Sequence, residues 1–421
     1  MRKYSTMKRL LAFSVILLAG ATLRAQDKTL NLPLGDPARK GREAPVQIDV
    51  IVETGSGAAL NPWELARRLA DVRLVFVGES HTSIEFHHAQ LRLIEELYKA
   101  GRQVMIGLEM YPSPEQPYLD QWMDGLLTED GFVRLSRWYR NWGYNWRYYR
   151  EIFLFAREHG LRMYAVNTPR EIVAAVRTKG FDGLSPAEAA LVPARVDTDN
   201  ADHLALFKAF MAESGGMMSA MSAERLEGMF RAQCTWDAAM AYNAVQALQK
   251  HGGKNAIMVV LIGSGHVAYG LGAERQAALW FDGKTASVIP TPLTDAKGRR
   301  QTVRASYADY LWGIPGETAT LYPTLGVSLR EGKPGEPPSV INVEKDTVAA
   351  AAGLLVGDQL VSMDGVATPD RETLNRLVAD KRWADSAEVI VRRGGEPRSL
   401  TVRFVRPTPT SAPGAPAGPP K

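Results

Sequence analysis

The sequence predicts an α/β fold, a mainly parallel sheet covered by helices, followed by a small C-terminal β domain with one or two helices. Three observations predict it. Apolar runs of strand length alternate with amphipathic helical segments over residues 46–315, the pattern of strands buried on both faces by crossover helices. Short strand-like segments dominate residues 320–405. At 421 residues the chain exceeds what one compact core holds, so two domains are expected.

The elements follow in order. Residues 1–25 read as an export signal: Arg2, Lys3, Lys8 and Arg9 form a basic start, residues 10–18 are apolar but too short to span a bilayer comfortably, and cleavage is expected after Ala25. Leu17-Leu18-Ala19-Gly20-Ala21 carries alanine where a bacterial lipoprotein carries its lipid-bearing cysteine, so no lipid anchor is expected. Residues 26–45 are polar, without a period, and read as a linker. An apolar strand over 72–77 ends at Gly78. Residues 82–100 form a helix with Phe86, Gln90, Leu93, Ile94 and Leu97 on one face; a capping box from Thr82 to Glu85 opens it and Gly101 closes it. Strands are expected at 104–108, ending at Glu109, at 161–166, and at 257–262, ending at Gly263; a long helix over 231–251 precedes the last and stops at Gly252-Gly253. Further strands are expected at 326–329, 339–343, 359–363, 388–392 and 399–404, and the Pro/Ala/Gly-rich tail 406–421 reads as disordered.

Composition narrows the function. The net charge of +4 is scattered and partly confined to the first ten residues, so nucleic acid is not an expected partner. The one cysteine, Cys234, rules out internal disulfides and cysteine-based zinc clusters and is expected as a small core residue on a helix. The chain has no His-Glu-x-x-His helix, no Gly-x-Ser-x-Gly turn and no glycine-rich phosphate loop, which favours binding over catalysis.

In parallel sheets, ligands bind beyond the carboxyl ends of the strands. Here four strand ends carry reactive side chains: Gly78-Glu79-Ser80-His81, then Glu109, then Asn167 and Arg170, then Gly263-Ser264-Gly265-His266. Imidazoles and carboxylates ligate divalent ions and move protons, so His81 and His266 are candidate metal ligands. The plainer reading makes each a cap or a structural histidine. His88 lies seven residues from His81, roughly 10 Å along a helix, too far to share one ion but placed to flank a ligand as large as a porphyrin. Aromatic residues Trp138, Tyr139, Trp142, Tyr144, Trp146, Tyr148, Tyr149 and Phe153 either pack helices or wall a flat apolar ligand. Tyr111 and Tyr118, just after the Glu109 strand, are candidates for a phenolate ligand to ferric haem.

These residues also resemble a known family. Val75-Phe76-Val77-Gly78-Glu79-Ser80-His81 with His87, His88 and Gln90; Gly107-Leu108-Glu109-Met110 with Gln116; residues 142–149; Ala165-Val166-Asn167-Thr168-Pro169-Arg170; Trp236-Asp237-Ala238-Ala239-Met240-Ala241; and Gly263-Ser264-Gly265-His266-Val267 occur in this order over about residues 50–315. Together they resemble the ChaN-type haem-binding proteins, whose superfamily includes the Tiki proteases and erythromycin esterases. The resemblance implies export to the periplasm or outer membrane, a role in iron or haem acquisition or handling, and a homodimer with haem between subunits and tyrosine on the iron. It implies Glu79, His81, Glu109 and His266 as a shared pocket. The expected haem pocket as a whole is Gly78, Glu79, His81, His88, Glu109, Tyr111, Asn167, Arg170, Gly263 and His266. Leu325-Gly326-Val327-Ser328-Leu329 resembles the carboxylate-binding loop of a PDZ domain, and residues 352–365 resemble the bacterial PDZ pattern. That implies a peptide or protein C-terminus as partner, added as a strand beside a helix over 370–380, with Asp364-Gly365 as a tight turn. Two alternatives stand beside this reading: a metal-dependent hydrolase, peptidase or esterase, using Glu79, His81, Glu109 and His266 with a divalent ion, and a non-catalytic PDZ adaptor.

Overall fold

The computed structural model describes residues 29–213, 221–295, 298–317, 320–333 and 335–406. The export signal and the tail beyond residue 406 lie outside the described residues. The N-terminal domain is built on eight strands: β1 (Ile51–Glu53), β2 (Ala58–Leu60), β3 (Leu74–Glu79), β4 (Gln103–Pro112), β5 (Met163–Asn167), β6 (Ala256–Gly263), β7 (Thr285–Pro292) and β8 (Tyr310–Ile314). Their order across the sheet is β2-β1-β8-β7-β3-β6-β4-β5. From β8 to β5 all neighbours are parallel; β1 and β2 pair antiparallel at one edge.

The central strands are apolar throughout because both faces are covered. Val75, Val77, Ile106, Leu108, Val259 and Leu261 face a core that includes Phe86, Leu93 and Leu97 of helix α1 (Ile84–Lys99) and the aromatic segment before and within helix α3. Short helix α2 is Trp138–Asn141 and α3 is Arg150–Glu158. Leu74, Phe76, Met258, Val260 and Ile262 face the opposite core, filled by Met240, Ala244 and Leu248. Helices α4 (Arg170–Lys179), α5 (Ala201–Glu213) and α6 (Ala223–His251) follow in the chain, and α6 carries those three side chains. Each such fully buried Val, Leu, Ile, Met or Phe side chain contributes about 1.5–3 kcal/mol of transfer free energy. The chain runs from β3 to β4 and β5, then returns to place β6 between β3 and β4. That reversal opens a crevice at the strand ends.

The C-terminal domain is an antiparallel sheet of β9 (Val327–Arg330), β10 (Ser339–Val343), β11 (Gln359–Met363), β12 (Val366–Ala367), β13 (Ser386–Arg393) and β14 (Glu396–Arg403), in the order β9-β10-β11-β13-β14 with β12 on β11. Helix α7 (Arg371–Ala379) packs Leu374 and Val378 against Leu325, Leu360, Met363 and Phe404. Asp364 and Gly365 both have positive φ, 49° and 77°, as the tight turn requires. Helix α7 also meets α2 and the residues on either side of it: the Asn375 side chain donates to Tyr139 O at 3.2 Å, Asn145 donates to Ala379 O at 3.1 Å, and Arg137 pairs with Glu372 at 3.4 Å.

Three expectations change. Residues 29–45 are not a free linker: Leu30 and Leu34 are buried, Tyr269 bonds the backbone of Thr29 and Leu32, and Glu43–Ala44 pairs with Val303–Arg304. The expected capping box at Glu85 does not form. Helix α1 begins at Ile84, and Glu317, from the segment joining the domains, accepts from Ser83 Oγ at 2.7 Å and from the Glu85 backbone N–H at 3.3 Å. Strand β4 does not end at Glu109 but continues to Pro112 through a register shift against β5 between Leu108 and Pro112, an irregularity of the kind that re-aims side chains.

At the opposite end of the sheet, buried Arg102 donates to the carbonyls of Leu69 at 2.7 Å, Ala70 at 3.0 Å, Val72 at 2.8 Å, Asn255 at 3.0 Å and Ala256 at 3.3 Å. Arg102→Ala leaves several buried acceptors unpaired, at about 1–3 kcal/mol each before relaxation. Urea unfolding of this variant is expected to show a loss of about 3 kcal/mol or more; a loss below about 1 kcal/mol would mean that water replaces the guanidinium.

Candidate functional site

The site begins with Glu79, the last residue of β3. Its carboxylate is buried and fully engaged: Oε1 accepts from Tyr149 at 2.6 Å and His81 Nδ1 at 2.8 Å, and Oε2 accepts from Gln90 at 3.0 Å. Burial opposes its charge, but the nearby His87 and the hydrogen bonds from His81 and Tyr149 hold the carboxyl below the usual range. His87, buried behind it, is held below the usual imidazole value by burial against the pull of Glu79. Tyr149 is raised well above the usual phenol value by burial and by Glu79, so it stays a donor.

The second half comes from the end of β6. His266 Nδ1 lies 2.5 Å from Asp237 Oδ1, and Nε2 lies 3.5 Å from Glu109 Oε1. Glu109 Oε2 accepts from the Gly263 backbone N–H at 2.6 Å. Burial disfavours an imidazolium here, but Asp237 and then Glu109 outweigh it and push the His266 pKa up to about 9. Behind Asp237, buried His203 on α5 places Nε2 3.4 Å from Oδ2 and Nδ1 3.2 Å from Arg275 Nη2. Two imidazole–carboxylate pairs, His81–Glu79 and His266–Asp237, thus flank the end of β6.

The glycines make this approach feasible. A Cβ on Gly263 would lie 3.0 Å from His81 Cε1 and 3.6 Å from Glu109 Oε2; one on Gly78 would lie 2.9 Å from Ser264 Oγ. The contacts with His81 and Ser264 are too close for those side chains to stay where they are.

The pairs open into a cleft of about 820 Å³, lined by His81, Glu109, Asn167, Arg170 and His266, by Met110, Trp142, Phe207 and Trp236, and by Glu331, Lys333 and Arg371 of the C-terminal domain. Asn167 donates to Glu109 O at 2.8 Å, and Arg170 donates to Asn141 O at 2.7 Å. Burial, and then the facing Arg371, lower the Arg170 pKa to about 10.

Two expected residues are elsewhere. His88 projects to the surface, its side chain 60% exposed, with Glu85 at 3.7 Å; it is on the wrong side of α1 to flank anything in the cleft. Tyr111 is fully buried, bonds Ser136 at 2.7 Å and packs on Trp138, Phe132 and Phe153, and burial raises its pKa far above the usual phenol value. It does not line the cleft. Tyr118 packs against the same core. Among the described residues no three His, Cys, Asp or Glu side chains converge as a metal cluster.

Sequence reasoning missed Asp237, His87, Tyr149 and Gln90 as partners of the site. Periodicity held a signal for the first two: Asp237 shares a helical face with buried Cys234, Ala241 and Ala244, and His87 shares one with buried Gln90, Ile94 and Leu97. A polar side chain inside an apolar stripe needs a partner.

Comparison with known proteins now bears on this arrangement. Residues 65–276 match the family described as haem-binding uptake, Tiki superfamily, ChaN. This chain belongs to the ChaN family. Residues 323–404 match the PDZ domain. Among solved structures, the chain is similar to ChaN of Campylobacter jejuni, described with cofacial haem binding, at 17% identity over 63% of this chain and 98% of that one, with a TM-score of 0.49. The C-terminal domain is similar to part of the HtrA-type protease AlgW with a decapeptide, at 28% identity over 21% of this chain and 30% of that one, TM-score 0.20. A curated relative, RETICULATA-RELATED 5, chloroplastic, of Arabidopsis thaliana, is 26% identical over 267 residues, 59% of this chain; the chain spans 35% of that relative's length. The mainly parallel sheet with its helices and the antiparallel C-terminal sheet fit these two families.

The proton on His266 gives the testable consequence. Its folded pKa of about 9 exceeds the usual ~6.5, so the stability it contributes is complete below about pH 6.5 and is lost as pH rises through about 9. Imidazole ¹⁵N shifts should titrate near 9 in the native protein, and Asp237→Asn should move that midpoint down sharply. An unmoved midpoint would show that Asp237 does not hold the proton.

Proposed function

We propose that this ChaN-family protein binds haem in the cleft beyond β3, β4 and β6, acts after export in iron or haem handling, and uses its PDZ domain to take a peptide or protein C-terminus. The observation that carries the haem reading is the chemistry of the cleft lining. A haem is flat, apolar and edged by two carboxylates. The cleft volume of about 820 Å³ lies within the roughly 300–1,000 Å³ of small-molecule sites. Met110, Trp142, Phe207, Met211, Met229 and Trp236 offer apolar, polarisable walls. Arg170 has no carboxylate within ion-pair distance among the described residues and lines the cleft together with Arg371, so an anion bound there relieves their repulsion. The residues fit the group.

Haem, when bound, would supply an iron centre that takes a protein side chain as ligand. His81 is the better donor of the two histidines. Its Nδ1 donates to ionised Glu79, which fixes the ring and leaves Nε2 as the nitrogen turned away from that carboxylate, as carboxylates do for metal-bound imidazoles. Trp142 and Tyr144 pack on the ring at centroid distances of 4.6 and 5.0 Å and steady it further. His266 carries its proton at neutral pH and suits an anion or a polar edge. The expected tyrosine ligand is less well supported: Tyr149 donates to Glu79, and burial keeps the Tyr144 phenol protonated.

The hydrolase reading draws less from the site. Both oxygens of Glu79 are already used, so its role is to hold His81 rather than to activate water. Export rests on the basic and apolar residues of positions 1–25.

Haemin titration should give a stoichiometric Soret band. His81→Ala should shift that band and weaken binding. Arg170→Ala should weaken binding about tenfold, near the 1.4 kcal/mol expected of one charge-assisted contact. A Soret band and affinity unchanged in both variants would overturn this site.

A further inference from the structure

The PDZ groove and the haem cleft are adjacent in a specific direction. Strand β9 pairs only with β10 among the described residues, which leaves its other edge open beside α7. The loop Leu325-Gly326-Val327 sits at the start of β9. Gly326 has φ of 75°, and a Cβ there would lie 2.3 Å from Thr347 Cγ2, so the loop conformation belongs to glycine. A chain end whose carboxylate sits in this loop, and which adds to β9 as a strand, must run from the start of β9 toward its end when followed backward from its terminus. At about 3.3 Å per residue, its fifth residue back lies beside Glu331.

That end of the groove is a wall of the cleft. Leu329, Glu331, Lys333, Asp370 and Arg371 line the same cavity as His81, Glu109 and His266. Across the mouth runs one long, exposed hydrogen bond, from the Arg371 backbone N–H to Glu331 Oε1 at 3.4 Å. The contacts of α7 with α2 hold the two openings in line.

We propose that the PDZ groove and the α/β cleft form one continuous channel, in which a polypeptide C-terminus held at Leu325-Gly326-Val327 lays its residues upstream of about the fifth across the cleft and excludes haem from it. The chemistry of the occupant follows from the walls. Val327 and Leu329, half-buried on β9 over the buried Leu325, Leu374 and Val378, call for an apolar terminal residue. Arg170 and Arg371, which line the cleft from the two domains, call for an acidic side chain a few positions upstream of the groove's exit. Occupancy of the two domains is therefore coupled for long ligands and independent for short ones.

The exclusion of haem rests on the haem reading; the channel itself does not. Two fluorescein-labelled peptides ending in a free valine carboxylate test both. One has five residues; the other has twelve, with glutamate seventh from the end. Anisotropy on the full-length protein should show both binding and neither binding as the C-terminal amide. Arg170→Ala should weaken the twelve-residue peptide about tenfold and leave the five-residue peptide unchanged, which also reports that the variant is folded. Arg170→Lys should restore most of the loss. Saturating haemin should weaken only the longer peptide. Equal effects of Arg170→Ala on both peptides, or none on either, overturn the channel, as does failure of either peptide to bind. If haemin gives no Soret band, the haem reading fails and the arginine variants still decide the channel. If haemin binds and the longer peptide is unaffected, exclusion fails while the haem site stands.

Discussion

The site depends on the parallel register between β3 and β6. In that ladder Glu79 lies directly opposite Gly263, so the two strands end side by side and each carries its histidine to the same place. A side-chain period of two means that a slip of one residue would turn Glu79 to the other face. The register is protected by the apolar residues before it, Val75 and Val77 on one side and Leu74 and Phe76 on the other, each committed to a different core. Glu79 can then be a buried charge because its partners arrive from three other places: Gln90 and His87 from α1, Tyr149 from the start of α3, and His81 from its own strand end. A buried carboxylate with this many donors is costly to disturb, since removing one partner leaves the rest poorly solvated.

The two histidines are thereby given different characters by similar neighbours. His81 faces a carboxylate already shared with a phenol and an amide, whereas His266 sits between Asp237 and Glu109. Asp237 and Glu109 together push the His266 pKa up to about 9.

Much of this was legible in the sequence because parallel central strands are read as unbroken apolar runs and because the polar residues that follow them belong to the sheet edge. Glu79, His81, Glu109 and His266 all follow that rule. The residues that complete the site do not. Asp237 sits mid-helix, and Tyr149 is one aromatic among eight in the segment before Phe153 and including it; only the folded chain distinguishes the one that reaches Glu79. His88 was misplaced because one helical step rotates a side chain by about 100°, enough to separate it from its buried neighbour His87. Tyr111 was misplaced because the register shift in β4 carries the strand on past Glu109 and delivers the ring to the core. Residues 29–45 looked like a linker because their partners, Tyr269 and the strand Val303–Arg304, are more than 200 positions away in the chain.

Family similarity draws the domain edges at residues 276 and 323, and the segment between them would ordinarily be treated as spare. Hydrogen bonding draws them differently. Strands β7 and β8 complete the parallel sheet, and Glu317 supplies the acceptor at the start of α1 that Ser83 and Glu85 themselves do not. Helix α1 in turn presents His87 and Gln90 to Glu79. An α/β domain cut out at residue 315 would therefore begin its first site-bearing helix uncapped, and its behaviour toward a ligand would report on a frayed helix as well as on a missing neighbour. The natural unit of folding is longer than the unit of descent.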